Sequence, residues 1–330
     1  MASDFHVIFG TGPVGSSAAR FLLNTGFRVR MVNRSGRRPA SLDAELGPEA
    51  AAKLEVRSAG ALKAADVLAV SEGATHIYHC ANVLYQDWYR VLPVLHANLR
   101  AAALRGGAVL ALAQNLYMYA RGVSLINEET EVRPPSRKGA LQQGLHQALV
   151  DAGEKQGLRW VSVRASDYYG PGADMQSVFG TVRFLDPLFA GKRPAMIGDP
   201  DLLHTYTYVD DYGRSLATAA LRPEAHGKAW IVPNDRTLTT REVAGLFFAA
   251  AGRPTDLGRL PRALITMMGL FNPLLREIPE VLYQKEEPYV VDGSSFQRRF
   301  DFAPTTLEEG VRRTVEWYRA AHSVSAATAA

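Results

Sequence analysis

Apolar residues along the first half of the chain fall into short strand-like runs separated by stretches with helical spacing. The runs are HVIFG (6–10), VRMVN (29–33), LEVRS (54–58), HIYHCAN (76–82), AVLALAQN (108–115) and WVSVRAS (160–166). After Val14, the residues Ala18, Phe21 and Leu22 recur at helical spacing and form one apolar stripe suited to packing on a sheet. Strands alternating with helices predict a parallel sheet covered by helices on both faces. From Gly172 onward the pattern loosens into Pro- and Gly-punctuated segments. Helical runs such as VAGLFFAAA (243–251) and LITMMGLF (264–271) follow, and an Ala/Ser tail after His322 is expected to fray.

The most informative local motif is Gly10-Thr11-Gly12-Pro13-Val14-Gly15, which lies directly after the first strand and directly before the first helix. G-x-G-x-x-G in that setting is a dinucleotide cradle. Gly10 makes the tight turn, Gly12 lets backbone approach a pyrophosphate, Gly15 allows close packing of helix on strand, and the helix N-terminus faces the phosphates. The expected fold is therefore α/β: a Rossmann-type doubly wound parallel sheet plus a smaller, mostly helical C-terminal substrate lobe. Residues 1–172, with 205–234 returning to them, form the nucleotide-binding domain, and 173–204 with 235–330 form the lobe.

An NAD-binding chain places Asp or Glu at the end of the second strand to accept hydrogen bonds from the adenosine ribose. Here Asn33-Arg34-Ser35-Gly36-Arg37-Arg38 stands instead. A carboxylate would repel a 2′-phosphate, whereas Arg34 pairs with one bidentately and Ser35 donates a hydroxyl, so NADP is the expected cofactor. Arg37 and Arg38 read equally well as a solvated basic loop.

Composition narrows the classes further. The 330 residues are 47% hydrophobic, enough for a sizeable core, and 37 basic against 33 acidic residues give only +4. Neither a nucleic-acid stripe nor a membrane partner is expected. The start, with Asp4 where a secretion signal carries positive charge, reads as cytoplasmic. Cys80 is the single cysteine, and the histidines show no metal spacing beyond His76 and His79, so no metal is expected.

With these motifs placed, the whole chain resembles the extended short-chain dehydrogenase/reductases, the family of NAD-dependent epimerases and dehydratases. The likeness also rests on His79-Cys80-Ala81-Asn82, on Asn98, and on the run Arg164-Ala165-Ser166-Asp167-Tyr168-Tyr169-Gly170-Pro171-Gly172. It continues through Tyr208-Val209-Asp210-Asp211 and Pro304-Thr305-Thr306-Leu307-Glu308-Glu309-Gly310 to Trp317-Tyr318. The resemblance implies cofactor contacts from Cys80, Ala81 and Asn82, and a nicotinamide near Ser166, Asp167 and Tyr168. It leaves open whether the chain forms homodimers, as many relatives do.

Family members usually carry Ser or Thr on the fifth strand and a Tyr-x-x-x-Lys pair on the next helix. The register here puts Asn115 in the Ser slot, Lys138 in the Tyr slot and Gln142 in the Lys slot. Loss of the usual acid and base removes about 10²- to 10⁴-fold in rate unless it is offset. Three offsets stand open. Tyr117, two residues beyond Asn115 and on the same strand face if alternation holds, donates a proton to a carbonyl that Asn115 also binds. Lys138 stabilises the developing alkoxide electrostatically, although a lysine at a helix start is usually solvated. A substrate ketone already hydrogen-bonded to its own phenol needs less help, while Gln142 holds the nicotinamide ribose.

The leading reading is NADPH-dependent reduction of a small-molecule ketone. Ketoreductases that tailor aromatic polyketides are the atypical members it most resembles. A sugar-nucleotide epimerase or dehydratase is the enzymatic alternative. A NADP-binding sensor without catalysis is the alternative of another class, separated by whether NADPH binding is accompanied by turnover.

Overall fold

The computed structural model describes residues 4–39, 42, 45–174 and 177–328, with side chains as far as His322. The chain divides into two units: 1–118, 132–165 and 210–232 form the first, and 119–131, 166–209 and 233–330 the second.

The first unit holds seven strands: β1 (Phe5–Phe9), β2 (Arg28–Asn33), β3 (Leu54–Ser58), β4 (His76–His79), β5 (Val109–Gln114), β6 (Trp160–Arg164) and β7 (Lys228–Ile231). Their order is β7-β6-β5-β4-β1-β2-β3, and every pairing is parallel. Its helices are α1 (Pro13–Asn24), α2 (Pro48–Ala52), α3 (Ala64–Val70), α4 (Trp88–Gly106), α5 (Arg137–Gln156) and α6 (Val209–Leu221). Val7, Ile8 and Phe9 run consecutively at 0, 0 and 1% exposed, so both sheet faces are covered, as a parallel sheet requires. The strand order reverses between β1 and β4, and the crevice beyond the strand ends at such a switch point is where this architecture takes its ligands.

Helix α1 buries Ala18 and Leu22 completely. On its other side it meets α6 almost backbone to backbone. A Cβ on Gly213 would lie 2.4 Å from Ser17 Oγ and 2.5 Å from the Ala18 nitrogen, and Ser17 Oγ donates to the Asp210 carbonyl at 3.0 Å. Arg20 pairs with the Asp210 carboxylate.

The second unit is mostly helical, with short strand pairs. Tyr168–Tyr169 pairs with Thr207–Tyr208, Leu203–His204 with Leu238–Thr239, and Ala195–Ile197 with Gly258–Leu260. Its core is aromatic, built around Phe179, Phe184, Phe247, Tyr206 and Tyr208 with Val311 and Val315. The helix expected over 243–251 spans Thr240–Ala251 and opens with a capping box between Thr239 and Glu242. The second expected helix spans Arg262–Gly269.

The unit boundaries differ from the expected ones in four places: 119–131, 166–172, 205–209 and 233–234 fall in the second unit. Strand pairing accounts for this, since Tyr168–Tyr169 bonds to Thr207–Tyr208 and Ile126 bridges to Val291. Helix Leu307–Thr328 carries the backbone through most of the tail expected to fray, and side chains beyond His322 lie outside the described residues. Among the described residues no helix is long and apolar enough to cross a membrane.

Candidate active site

The glycine turn closes against the loop after β4. Gly10 has φ +105°, a conformation side chains resist, and a Cβ there would sit 2.5 Å from the Ala81 nitrogen and 2.6 Å from the Cys80 carbonyl carbon. A Cβ on Gly15 would lie 2.1 Å from the Gly10 oxygen, whereas one on Gly12 meets nothing within 4 Å. Two glycines thus serve close packing and the third faces open space at the start of α1, whose first turn holds no acidic residue. That is the shape and polarity a pyrophosphate needs, so the residues present fit a dinucleotide. Thr11 is held from both sides: its carbonyl accepts from Ser16 Oγ at 3.3 Å and its hydroxyl from Asn33 Nδ2 at 3.3 Å.

Asn33 organises the loop after β2. Its Oδ1 accepts from the Ser35 and Gly36 nitrogens at 3.0 and 2.6 Å and from Ser35 Oγ at 3.1 Å, while its Nδ2 donates to the Arg37 carbonyl at 2.8 Å. The expected ribose-binding carboxylate is replaced by an amide that folds the loop. Arg34 is exposed on it, and among the described residues its side chain makes no ion pair. Arg38 donates to the Ala51 carbonyl at 3.1 Å.

Of the residues after β4, Asn82 accepts from the Val83 nitrogen at 2.9 Å. Burial pushes the Cys80 thiol up to about 12, which keeps it out of nucleophilic chemistry.

The region after β5 departs from the expected geometry. Asn115 and Tyr117 do not share a strand face, because β5 ends at Gln114 and the chain turns. Asn115 Oδ1 accepts from the Tyr117 nitrogen at 3.0 Å and so stabilises that turn. Tyr117 is held through its side chain as well. Its hydroxyl hydrogen-bonds that of Tyr85, and its ring lies 5.9 Å from the Trp88 ring with 26° between planes.

Lys138, expected to be solvated, is 0% exposed. Ser136 caps α5 by accepting from the Gly139 nitrogen at 3.0 Å, and a Cβ on Gly139 would lie 2.2 Å from the Tyr117 carbonyl oxygen. This close approach sets the start of α5 against the Tyr117 turn. It leaves Lys138 Nζ 5.4 Å from the centre of the Tyr85 ring and 5.9 Å from that of Tyr89. Gln142, one turn further along α5, is also buried. The structure therefore assembles Lys138, Tyr117 and Tyr85 from three segments, and Tyr85 is a member the sequence reading missed. Its only local signal is an aromatic cluster, Tyr85, Trp88 and Tyr89, just after the Cys80-Ala81-Asn82 loop.

Ser166, Asp167 and Tyr168 belong to the second unit. Ser166 is buried, and its Oγ meets no partner among the described residues. Tyr168 is pushed up to about 12 by burial and then by Asp167. Asp167 is engaged within its own unit: its Oδ2 lies 2.6 Å from Lys285 Nζ and 3.0 Å from His204 Nε2. Lys285 also reaches His204 Nε2 at 3.1 Å and donates to the Tyr206 hydroxyl at 3.3 Å. Burial alone would raise the Asp167 carboxyl, but Lys285 and His204 hold it well below the usual carboxylate range. Burial and then Lys285 push His204 down to about 4, and its Nδ1 lies 3.1 Å from the Gln284 carbonyl oxygen.

His79, at the end of β4, is likewise lowered to about 4 by burial, and neither ring nitrogen finds a partner among the described residues. Both histidines are neutral in the native state and take a proton near pH 6.5 when unfolded. Between pH 6.5 and 4 the unfolded chain therefore binds more protons, and stability falls as pH falls through that window. At pH 5 each contributes a loss of about 2 kcal/mol. A melting temperature clearly lower at pH 5 than at pH 7.5, with little change between 7 and 8, is the expected result; equal values at pH 5 and 7.5 would refute it.

The sequence profile of the NAD dependent epimerase/dehydratase family matches residues 7–232. The chain belongs to that family. Among curated proteins no sequence matches it. The fold is shared with solved epimerases and dehydratases. UDP-glucose 4-epimerase of Thermotoga maritima, solved with UDP-glucose, superimposes with TM-score 0.77 at 17% identity, over 96% of this chain and 99% of that one. The UDP-glucose 4-epimerase of Thermus thermophilus, in complex with NAD, gives 0.77 at 20% identity, over 96% and 99%. DesIV, a dTDP-glucose 4,6-dehydratase of Streptomyces venezuelae with NAD bound, gives 0.76 at 18%, over 97% and 98%.

Proposed function

We propose that the chain is a NADPH-dependent ketoreductase that works without the family's usual Tyr/Lys pair. The observation that carries this reading is the fully buried Lys138 set beside the Tyr85 ring, with the Tyr85 hydroxyl hydrogen-bonded to that of Tyr117. It returns a phenol and an ammonium to one place from different positions in the sequence. A nicotinamide held at the glycine turn would supply the hydride for the carbonyl carbon. The carbonyl π pair moves to oxygen, which takes the Tyr117 phenolic proton; Tyr85 passes its own proton to Tyr117, and the buried Lys138 ammonium stabilises the charge left on the phenols. Gln142 replaces a charged ribose contact with a neutral one. Arg34, with no carboxylate at the end of β2, favours NADP over NAD.

A ketone on an aromatic polyketide, held by a neighbouring phenol, suits a site of modest acidity. The second reading is a sugar-nucleotide epimerase or dehydratase, and it draws on the family and on the neighbours solved with UDP-glucose and NAD. That chemistry begins by oxidising a hydroxyl, which calls for a strong base and a retained NAD.

NADPH oxidation with a panel of aromatic and aliphatic ketones, set beside turnover of UDP- and dTDP-sugars, separates the two. Reduction of ketones alone supports the proposal. Sugar-nucleotide turnover alone overturns it, and cofactor binding with neither makes the chain a sensor. Within the proposal, Tyr117→Phe is expected to lower kcat at least tenfold. An unchanged kcat would transfer the proton's origin to the substrate.

A further inference from the structure

The strands that carry the glycine turn and the His79 loop at one end bring a second set of polar groups together at the other. His6 on β1 and His76 on β4 are register partners in adjacent parallel strands, so their side chains share one sheet face. Asp4 lies two residues before His6, and the period of two places it along the same line. One possible ligand atom from each of Asp4, His6 and His76 lies within 4.8 Å of the others.

Each imidazole has a hydroxyl beside its Nδ1. His6 Nδ1 lies 3.0 Å from the Tyr78 hydroxyl, and His76 Nδ1 lies 2.9 Å from Thr75 Oγ1. A hydroxyl on Nδ1 fixes the ring and directs Nε2 toward a ligand, the arrangement found around metal-bound histidines. His6 is 0% exposed, and its Nε2 meets no hydrogen-bond partner among the described residues. A buried nitrogen in that state costs free energy unless something occupies it. Asp4 is only half-buried, so it offers both a negative charge and a path of entry.

We propose that Asp4, His6 and His76 bind a divalent transition metal, with zinc the best match to two imidazoles and a carboxylate and a water completing the tetrahedron. Tetrahedral zinc with legs near 2.1 Å needs ligand atoms about 3.4 Å apart, so binding draws the three in by about 1 Å. The imidazole rings are stacked, with centroids 4.6 Å apart and 14° between planes. Arg159 and His226 act on His76 against added positive charge, while Asp4 and a hydrogen bond to the Ala220 backbone act the other way. His226 is itself tied by Nε2 to the Ala220 carbonyl at 2.9 Å.

The test uses the full chain, freed of metal by chelation and dialysed against micromolar zinc. One zinc per chain is expected, and cobalt in its place is expected to give the visible absorption of a tetrahedral ion. His76→Gln and Asp4→Asn are each expected to weaken zinc at least tenfold. Asp4 lies ahead of the strand, so its substitution tests the site without opening the core. Zinc not retained by the parent, or retained equally by both variants, overturns the proposal and leaves a stacked histidine pair that serves packing alone.

Discussion

Lys138→Met is expected to lower kcat for ketone reduction by about 10²- to 10³-fold, the cost of removing one preorganised group that stabilises charge as it develops. Methionine keeps the length and most of the volume of the lysine stem, so it removes the ammonium while largely preserving the packing. The side chain is 0% exposed and lies against the Tyr85 and Tyr89 rings. Water therefore does little to screen its charge, and its effect on the Tyr85–Tyr117 pair is far larger than that of a solvated lysine. The informative readout is the split between kinetic constants. Loss in kcat with an unchanged Kd for NADPH and an unchanged melting temperature assigns the ammonium to the reaction. A variant with parental kcat would reduce Lys138 to a packing residue and remove the main support for a rebuilt phenol and ammonium set.

The second large effect concerns cofactor choice. Arg34→Ala is expected to raise the Kd for NADPH by about ten- to a hundredfold, the worth of one bidentate guanidinium–phosphate contact on an exposed loop. NADH should change by no more than about threefold, because it offers no 2′-phosphate. The loop itself should survive, since Asn33 folds it through contacts that involve Ser35, Gly36 and the Arg37 backbone and none from the Arg34 side chain. Fluorescence titration with both cofactors decides the matter. Equal weakening of NADPH and NADH would make Arg34 a general feature of the loop and reopen the choice between NADP and NAD.

What was legible in the sequence was what adjacent residues determine. The glycine turn is six consecutive residues between a strand and a helix, and its three glycines fall where backbone crowding and open space demand them. The parallel sheet follows from runs apolar on both faces, such as Val7-Ile8-Phe9. The reactive cluster was less legible because it depends on where a strand stops and on which helix end is covered. Alternation placed Asn115 and Tyr117 on one face, but β5 ends at Gln114 and the Asn115 side chain bonds to the Tyr117 backbone. Lys138 looks like any helix-start lysine until the Gly139 contact brings α5 onto the Tyr117 turn. Tyr85 carries no motif, and Lys285, which holds Asp167, lies far beyond it in sequence. The pairing of His6 with His76 spans 70 residues and is created by sheet order alone.

The contact between Gly213 and the Ser17–Ala18 stretch bears on how the molecule is assembled. The helix that opens at the glycine turn is braced by a segment made only after the chain has travelled through the other unit, and the outermost strand, β7, comes from that same late segment. A polypeptide stopped after β6 would carry the glycine turn and the Asn33 loop and still lack the buttress and one sheet edge. The brace on the cofactor cradle is therefore in place only once residues 209–232 have been made.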